Sequence, residues 1–196
     1  MEELAVRSAA EMRALGRRLA ARLRPGDLVV LNGPLGAGKT TLVQGIGEGL
    51  DVRGPITSPT FVIARVHPSL RRPRGPVLVH ADAYRLGGAA EVDDLDLDAD
   101  LDSAVTVVEW GGGLAEGLAD ERLEITISLA PESTLAPEST LAPESMLGAG
   151  GTGAEGTSRP GGAPGTEDTD GEPSETRIVR VRGTGARWAQ AGSPAA

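Results

Sequence analysis

The residues best suited to chemistry lie in one glycine-rich run. Gly33-Pro34-Leu35-Gly36-Ala37-Gly38-Lys39-Thr40 matches G-x-x-x-x-G-K-[ST] at every fixed position. Glycines at 33, 36 and 38 let the backbone carry successive N–H groups up to phosphate oxygens, where a Cβ would obstruct. A helix opening at Lys39 adds its partial positive charge. Lys39 sets a cation against the β- and γ-phosphates, and the Thr40 hydroxyl is placed to ligate Mg²⁺. The sequence holds 18 arginines and one lysine, and that lysine is Lys39. The run implies a nucleoside-triphosphate site whose phosphate-binding residues are Gly33, Leu35, Gly36, Ala37, Gly38, Lys39, Thr40 and Thr41.

Magnesium in such a site takes a carboxylate from the end of a neighbouring strand. Two acids have that setting: Asp82 after Val77-Leu78-Val79-His80-Ala81, and Glu109 after Val105-Thr106-Val107-Val108. Open α/β sheets bind ligands beyond the C-terminal ends of their strands. Asp82 and Glu109 are therefore candidate metal and catalytic residues, beside Thr40 for the metal and Lys39 for catalysis. Spacing leaves open which acid holds metal and which orients water. The run 91–102 carries seven acids, yet lacks the central glycine and terminal glutamate of an EF-hand loop. It reads as a solvated face over an apolar side of Leu95, Leu97 and Leu101. His67, before Pro68 and near Arg71, Arg72 and Arg74, reads as part of a solvated loop.

Holding these groups in place takes strands and helices in alternation. Residues 28–31 form a short apolar run of buried-strand type ahead of the glycine-rich turn, and a helix is predicted from about 39 to 50. Residues 77–80 and 105–108 are two further strand runs, and 123–127 alternate like a half-buried strand. This interleaving implies a sheet with parallel crossovers. Upstream, Ser8 and Glu11 have capping-box spacing. Met12, Leu15, Leu19 and Leu23 recur at helical spacing with arginines mainly on the other faces, which predicts an amphipathic helix packed on the sheet. Pro25-Gly26-Asp27 is expected to close it.

At 196 residues the chain can bury a core, which at 39% hydrophobic content and four aromatic residues must be built from Leu, Val, Ile and Ala. The balance of 28 acids against 19 basic residues gives −9, which argues against a sequence-independent grip on nucleic acid. The absence of cysteine excludes a disulfide framework and a thiol nucleophile. No basic start followed by an apolar core marks a secretory signal, and no stretch approaches the roughly 18–20 apolar residues that span a bilayer. A cytoplasmic protein without a membrane partner is expected.

The composition changes at Leu129, where LAPEST occurs twice and LAPESM follows. Residues 129–175 contain no aromatic residue, nine acids and one arginine, Arg159. Such a segment cannot bury enough apolar surface to offset its ordering entropy and is expected to be disordered. Residues 176–182 read as a returning strand that pairs with 123–127 across this insertion, since closure entropy grows only logarithmically with length. The expected organisation is a body at 1–128, a low-complexity insertion at 129–175, a return strand at 176–188 and a flexible tail at 189–196. The fold class is α/β: a P-loop NTPase-type, mostly parallel sheet flanked by helices, with an antiparallel C-terminal strand pair.

Several function classes use such a loop. A GTPase needs an Asn-Lys-x-Asp type element, which is absent because Lys39 is already in the phosphate loop. A small-molecule kinase needs an acceptor pocket and an arginine-bearing lid, for which Arg53, Arg65 and Arg85 are available but not singled out. A nucleotide-gated scaffold, or an ATP-hydrolysing regulator read by a partner, needs nothing more than is present.

Four elements taken in order sharpen the choice. They are Gly33 to Thr41, then Thr57-Ser58-Pro59-Thr60-Phe61, then His80-Ala81-Asp82-Ala83-Tyr84-Arg85-Leu86, then Glu109-Trp110-Gly111. Together they resemble the TsaE (YjeE) family, bacterial P-loop ATPases of the tRNA threonylcarbamoyladenosine pathway. The resemblance runs from about Ser8 to Ile127 and includes the return strand. Pro34, where an acid is common, and the 129–175 insertion depart from the family pattern. The resemblance implies that Lys39 and the loop amides hold ATP, that Thr40 and Glu109 bind Mg²⁺, and that Asp82 helps organise metal or water. It implies a switch-like role for 57–61, while Pro59 could equally fix a turn. Trp110 either covers nucleotide or anchors the core. The implied partners are TsaD-like and TsaB-like proteins, which transfer threonylcarbamoyl to the adenosine next to the anticodon, with tRNA met through that complex.

Overall fold

The computed structural model of the chain describes residues 1–71, 75–86, 91, 103–115, 117–130 and 175–189. Its elements are β1 (Glu2–Val6), α1 (Ala9–Ala20), β2 (Leu28–Asn32), α2 (Lys39–Leu50), β3 (Ala64–His67), β4 (Val77–Asp82), β5 (Ala104–Glu109), β6 (Arg122–Leu129), β7 (Arg177–Thr184) and the one-turn α3 (Ala186–Ala189). The strands form one sheet in the order β1-β7-β6-β2-β5-β4-β3. The four central strands, β6-β2-β5-β4, are parallel, whereas β7 and β1 on one side and β3 on the other add antiparallel edges.

Burial follows from position in this order. Parallel central strands are covered on both faces and read as unbroken apolar runs. All six residues of β5 are buried, and so are Leu28 to Leu31 of β2. In β6 the pattern alternates: Leu123, Ile125 and Ile127 are buried while Arg122, Glu124 and Thr126 are not. Helices α1 and α2 cover one face, setting Met12, Leu15, Leu19, Leu42 and Ile46 against Val29, Leu31, Val107 and Ile125. The opposite face carries a smaller layer of Leu28, Val30, Val79, Ala81, Val108 and Ala115.

Two glycines set how closely the helices cross. A Cβ on Gly16 would run into the Leu42 carbonyl, and one on Gly45 into the Arg13 carbonyl. Helix α1 opens on Ser8, whose hydroxyl accepts from the Glu11 N–H at 3.1 Å. The Glu11 carboxylate reaches one residue further back than a capping box requires, accepting from the Arg7 N–H at 2.7 Å. The helix ends at Ala20, ahead of Pro25-Gly26-Asp27, which instead forms a turn held by Asp27 Oδ2 on the Arg24 N–H at 2.8 Å. The return strand pairs with β6 as expected, in an eight-residue register from Arg122↔Thr184 to Leu129↔Arg177. Two strands went unanticipated: β1, and β3, which ends on His67 where a solvated loop was expected. His67 is buried, with Nδ1 3.0 Å from the Arg53 carbonyl oxygen. Arg72, Arg74, residues 92–102, the 131–174 part of the insertion and 190–196 lie outside the described residues. Among the described residues no helix is long and apolar enough to cross a membrane.

Candidate functional site

The glycine-rich run leaves the carboxyl end of β2 and turns into α2. Gly38 occupies the N-cap position with φ 100°, and Gly33 has φ 151° and would set a Cβ against the Ile127 carbonyl, so neither position admits a side chain without strain. No side chain caps the first turn of α2, which leaves the job of partnering its amides to solvent or a ligand. Lys39 is the first helical residue and is 5% exposed. Its Nζ donates to the carbonyl oxygens of Gly33 at 2.8 Å and Pro34 at 2.9 Å. It also lies 4.0 Å from the centroid of the Trp110 ring. Burial pushes this ammonium below the usual lysine range, and the nearby Glu109 and Asp82 carboxylates pull it part of the way back.

The two acids predicted from strand ends are neighbours. Asp82 and Glu109 are register partners on β4 and β5, at the carboxyl edge of the sheet, and each is 3% exposed. Glu109 Oε1 accepts from the Thr40 hydroxyl at 2.9 Å, which ties the phosphate loop to β5. The same oxygen lies 2.9 Å from His80 Nε2. Asp82 faces the 57–61 segment instead. Its Oδ2 accepts from the Thr60 hydroxyl, and its Oδ1 accepts from the Tyr84 N–H at 2.9 Å. That segment is a turn built on the Pro59 carbonyl, which accepts from the Val62 and Ile63 N–H groups.

These groups border a cleft of about 260 Å³ lined by Leu35, Gly36, Gly38, Lys39, Thr40, Thr41, Ser58, Thr60, Asp82, Glu109 and Trp110. Nine of the sequence-predicted site residues thus converge on it. The remaining two lie beneath the loop: Gly33 offers its carbonyl to Lys39, and Ala37 is buried with its N–H on the Pro34 carbonyl oxygen. A second hollow shares Gly36, Gly38 and Thr41 with the cleft and continues to Ser8, Met12 and Arg177. A further depression, of about 340 Å³ beside Arg13, Gln44 and Ile56, shares no residue with either.

Trp110 turns back over the site because its backbone is left-handed, with φ 58° and its N–H on the Leu31 carbonyl oxygen. Its ring meets Tyr84 at 5.2 Å and covers Lys39. The aromatic anchor of the core is Trp188, 6% exposed, which the sequence reading passed over. Tyr84 and Phe61 are exposed, with Arg85 over the Phe61 ring. His80 was also missed, although a histidine inside an apolar strand two residues before an acid points to the same face as that acid.

The donor set suits a hard divalent cation. Thr40 and Glu109 present oxygen ligands within hydrogen-bond distance of one another. Among the described residues no group of three or more His, Asp or Glu side chains is arranged to hold a metal alone. Magnesium, which keeps waters and phosphate oxygens, can be held by one or two protein ligands of this kind.

Comparison with known proteins identifies the family. The family model for threonylcarbamoyl adenosine biosynthesis protein TsaE matches residues 6–138. The tRNA threonylcarbamoyladenosine biosynthesis protein TsaE of Streptomyces coelicolor is 64% identical over 124 residues, which is 63% of this chain and 82% of that protein. The TsaE of Bacillus subtilis is 40% identical over 121 residues, 61% of this chain and 73% of the relative. The crystal structure of Bacillus subtilis YdiB superposes with a TM-score of 0.57 at 26% identity, covering 96% of this chain and 90% of that one. With the phosphate loop, the paired strand-end acids and this sheet order in one chain, the protein belongs to the TsaE family of threonylcarbamoyl adenosine biosynthesis proteins.

Proposed function

We propose that the chain is the Mg²⁺-dependent ATP-binding and ATP-hydrolysing subunit in threonylcarbamoyl modification of the tRNA adenosine next to the anticodon. It acts on a transferase complex of TsaD-like and TsaB-like proteins and meets tRNA through them. One observation carries the reading. The Thr40 hydroxyl bonds the Glu109 carboxylate at the end of the phosphate loop, with Lys39 and Asp82 lining the same cleft.

In this reading the loop amides and Lys39 bind the phosphates, and Thr40 with Glu109 holds the metal. When bound, Mg²⁺ supplies positive charge to the β- and γ-phosphate oxygens. Lys39 does the same from the protein side, and its burial strengthens that charge by excluding water. Asp82, held by Thr60 and the Tyr84 N–H, orients the attacking water. The hollow toward Ser8, Met12 and Arg177 gives the remainder of the nucleotide room beyond the phosphates. Trp110 covers Lys39 and restricts solvent at the phosphate end.

The test is phosphate release from Mg-ATP by the purified chain, alone and with a TsaD–TsaB pair and tRNA. Stimulation by the pair that is lost in Lys39→Ala is the expected result. Binding of ATP without release under any condition would instead indicate a nucleotide-gated scaffold. Phosphate transfer to a small acceptor would indicate a kinase.

A further inference from the structure

We propose that His80 is a positioning residue for Glu109, holding the carboxylate in the orientation in which it serves a metal-bound nucleotide. The inference rests on the functional reading above.

His80 is completely buried on β4, between Val79 and Ala81. In the parallel register it stands opposite Val107, and its ring reaches two residues along β5 to Glu109. A carboxylate oxygen accepts, so Nε2 carries the proton in this contact. The other nitrogen, Nδ1, is buried with no hydrogen-bond partner. An apolar side chain of similar size would fill this space without burying an orphan nitrogen, which is costly. Packing therefore does not account for the imidazole. What the ring supplies is one N–H aimed at Oε1, the oxygen that also accepts from Thr40. Two donors from different elements, one on α2 and one on β4, then fix the same carboxylate oxygen. Groups that hydrogen-bond a metal-ligating carboxylate set its orientation, and losing one typically lowers metal affinity about 10–100-fold.

The experiment uses the full chain and three variants. His80→Phe keeps the ring bulk and removes the N–H. His80→Gln returns an N–H near the position of Nε2, whereas His80→Asn carries an amide too short to reach Glu109. Calorimetric affinity for a non-hydrolysable ATP analogue is measured across a Mg²⁺ series and in EDTA, and thermal unfolding checks each fold. The Mg²⁺ midpoint should rise about 10–100-fold in His80→Phe and His80→Asn and stay close to wild type in His80→Gln. Affinity in EDTA should be unchanged in all three.

Equal midpoints in Asn and Gln overturn the proposal, and this pair decides the matter even if His80→Phe does not fold. Gln as impaired as Phe overturns it too. A wild-type chain that binds no analogue, or binds it without regard to Mg²⁺, sinks the functional reading itself before any variant is compared.

Discussion

Replacing Thr40 by valine keeps the shape of the side chain and deletes one hydroxyl, so its effects can be worked from the contacts. In the ligand-free protein the Glu109 carboxylate, 3% exposed, would lose one of the two donors on Oε1 and keep His80. A hydrogen bond to a charged group contributes about 1.5–3 kcal/mol. Thr40 is only half-buried, so water can replace part of what is lost, and about 1.5 kcal/mol is the working value. For a domain of this size that corresponds to a fall in Tm of roughly 3–6 °C. Urea unfolding of the metal-free protein reads this term directly. Nucleotide affinity with and without Mg²⁺ reads the second, proposed role, because valine also removes the hydroxyl assigned to the metal: the gain in affinity from Mg²⁺ should shrink at least about tenfold, or 1.4 kcal/mol. Combining Thr40→Val with Glu109→Ala should cost less than the two single changes added together, since both remove the same contact. Unchanged urea stability in Thr40→Val together with an intact Mg²⁺ effect would refute the placement of this pair. Strict additivity in the double variant would do so independently.

Other outcomes follow from neighbouring groups. Lys39→Ala removes the buried cation facing Glu109 and Asp82 and should abolish measurable ATP binding by calorimetry while the protein stays folded. Because burial lowers the Lys39 pKa from 10.5, ATP affinity should break downward with rising pH before the ordinary lysine range is reached. The sign for folding is opposite: the unfolded chain binds more protons there, so Lys39 itself makes the fold more stable as pH rises. Parallel pH titrations of affinity and of urea midpoint separate the two. Gly45→Ala sets a Cβ against the Arg13 backbone and should destabilise by about 2–3 kcal/mol through overpacking. That outweighs the roughly 1 kcal/mol a helix gains from Gly→Ala, and thermal melts would register it.

The parts of the fold that could be read in advance are those with local signals. Helix α2 begins and ends where the glycine-rich turn and the apolar spacing place it, and the central strands announce themselves as unbroken apolar runs. Strand β7 was recognisable because Ile178 and Val181, with flanking arginines, follow a segment otherwise poor in large apolar residues. Strands β1 and β3 were not, since edge strands carry charged and exposed residues such as Glu2, Glu3 and Arg65 that resemble loop composition. The candidate site divides the same way. Loop residues are local in sequence, so Lys39 and Thr40 were plain. The contact of His80 with Glu109 depends on the register between two strands, and the position of Trp110 depends on one left-handed residue. Neither leaves a local pattern.

The sheet order also dictates a timetable for synthesis. Strand β1 is made first and pairs with β7, which is made last; the Glu3–Arg180 ion pair joins residues 177 positions apart. While the chain grows from the ribosome, β2, β4, β5 and β6 can assemble the parallel centre, with the phosphate loop and both acids, before β1 has anything to pair with. During that interval residues 2–6 form a waiting segment, and its two glutamates discourage a premature match with another chain. The last strand to emerge fills the gap between β6 and β1 and so acts as the closing stave of the sheet, and its first residue, Arg177, completes the hollow beside the glycine-rich loop.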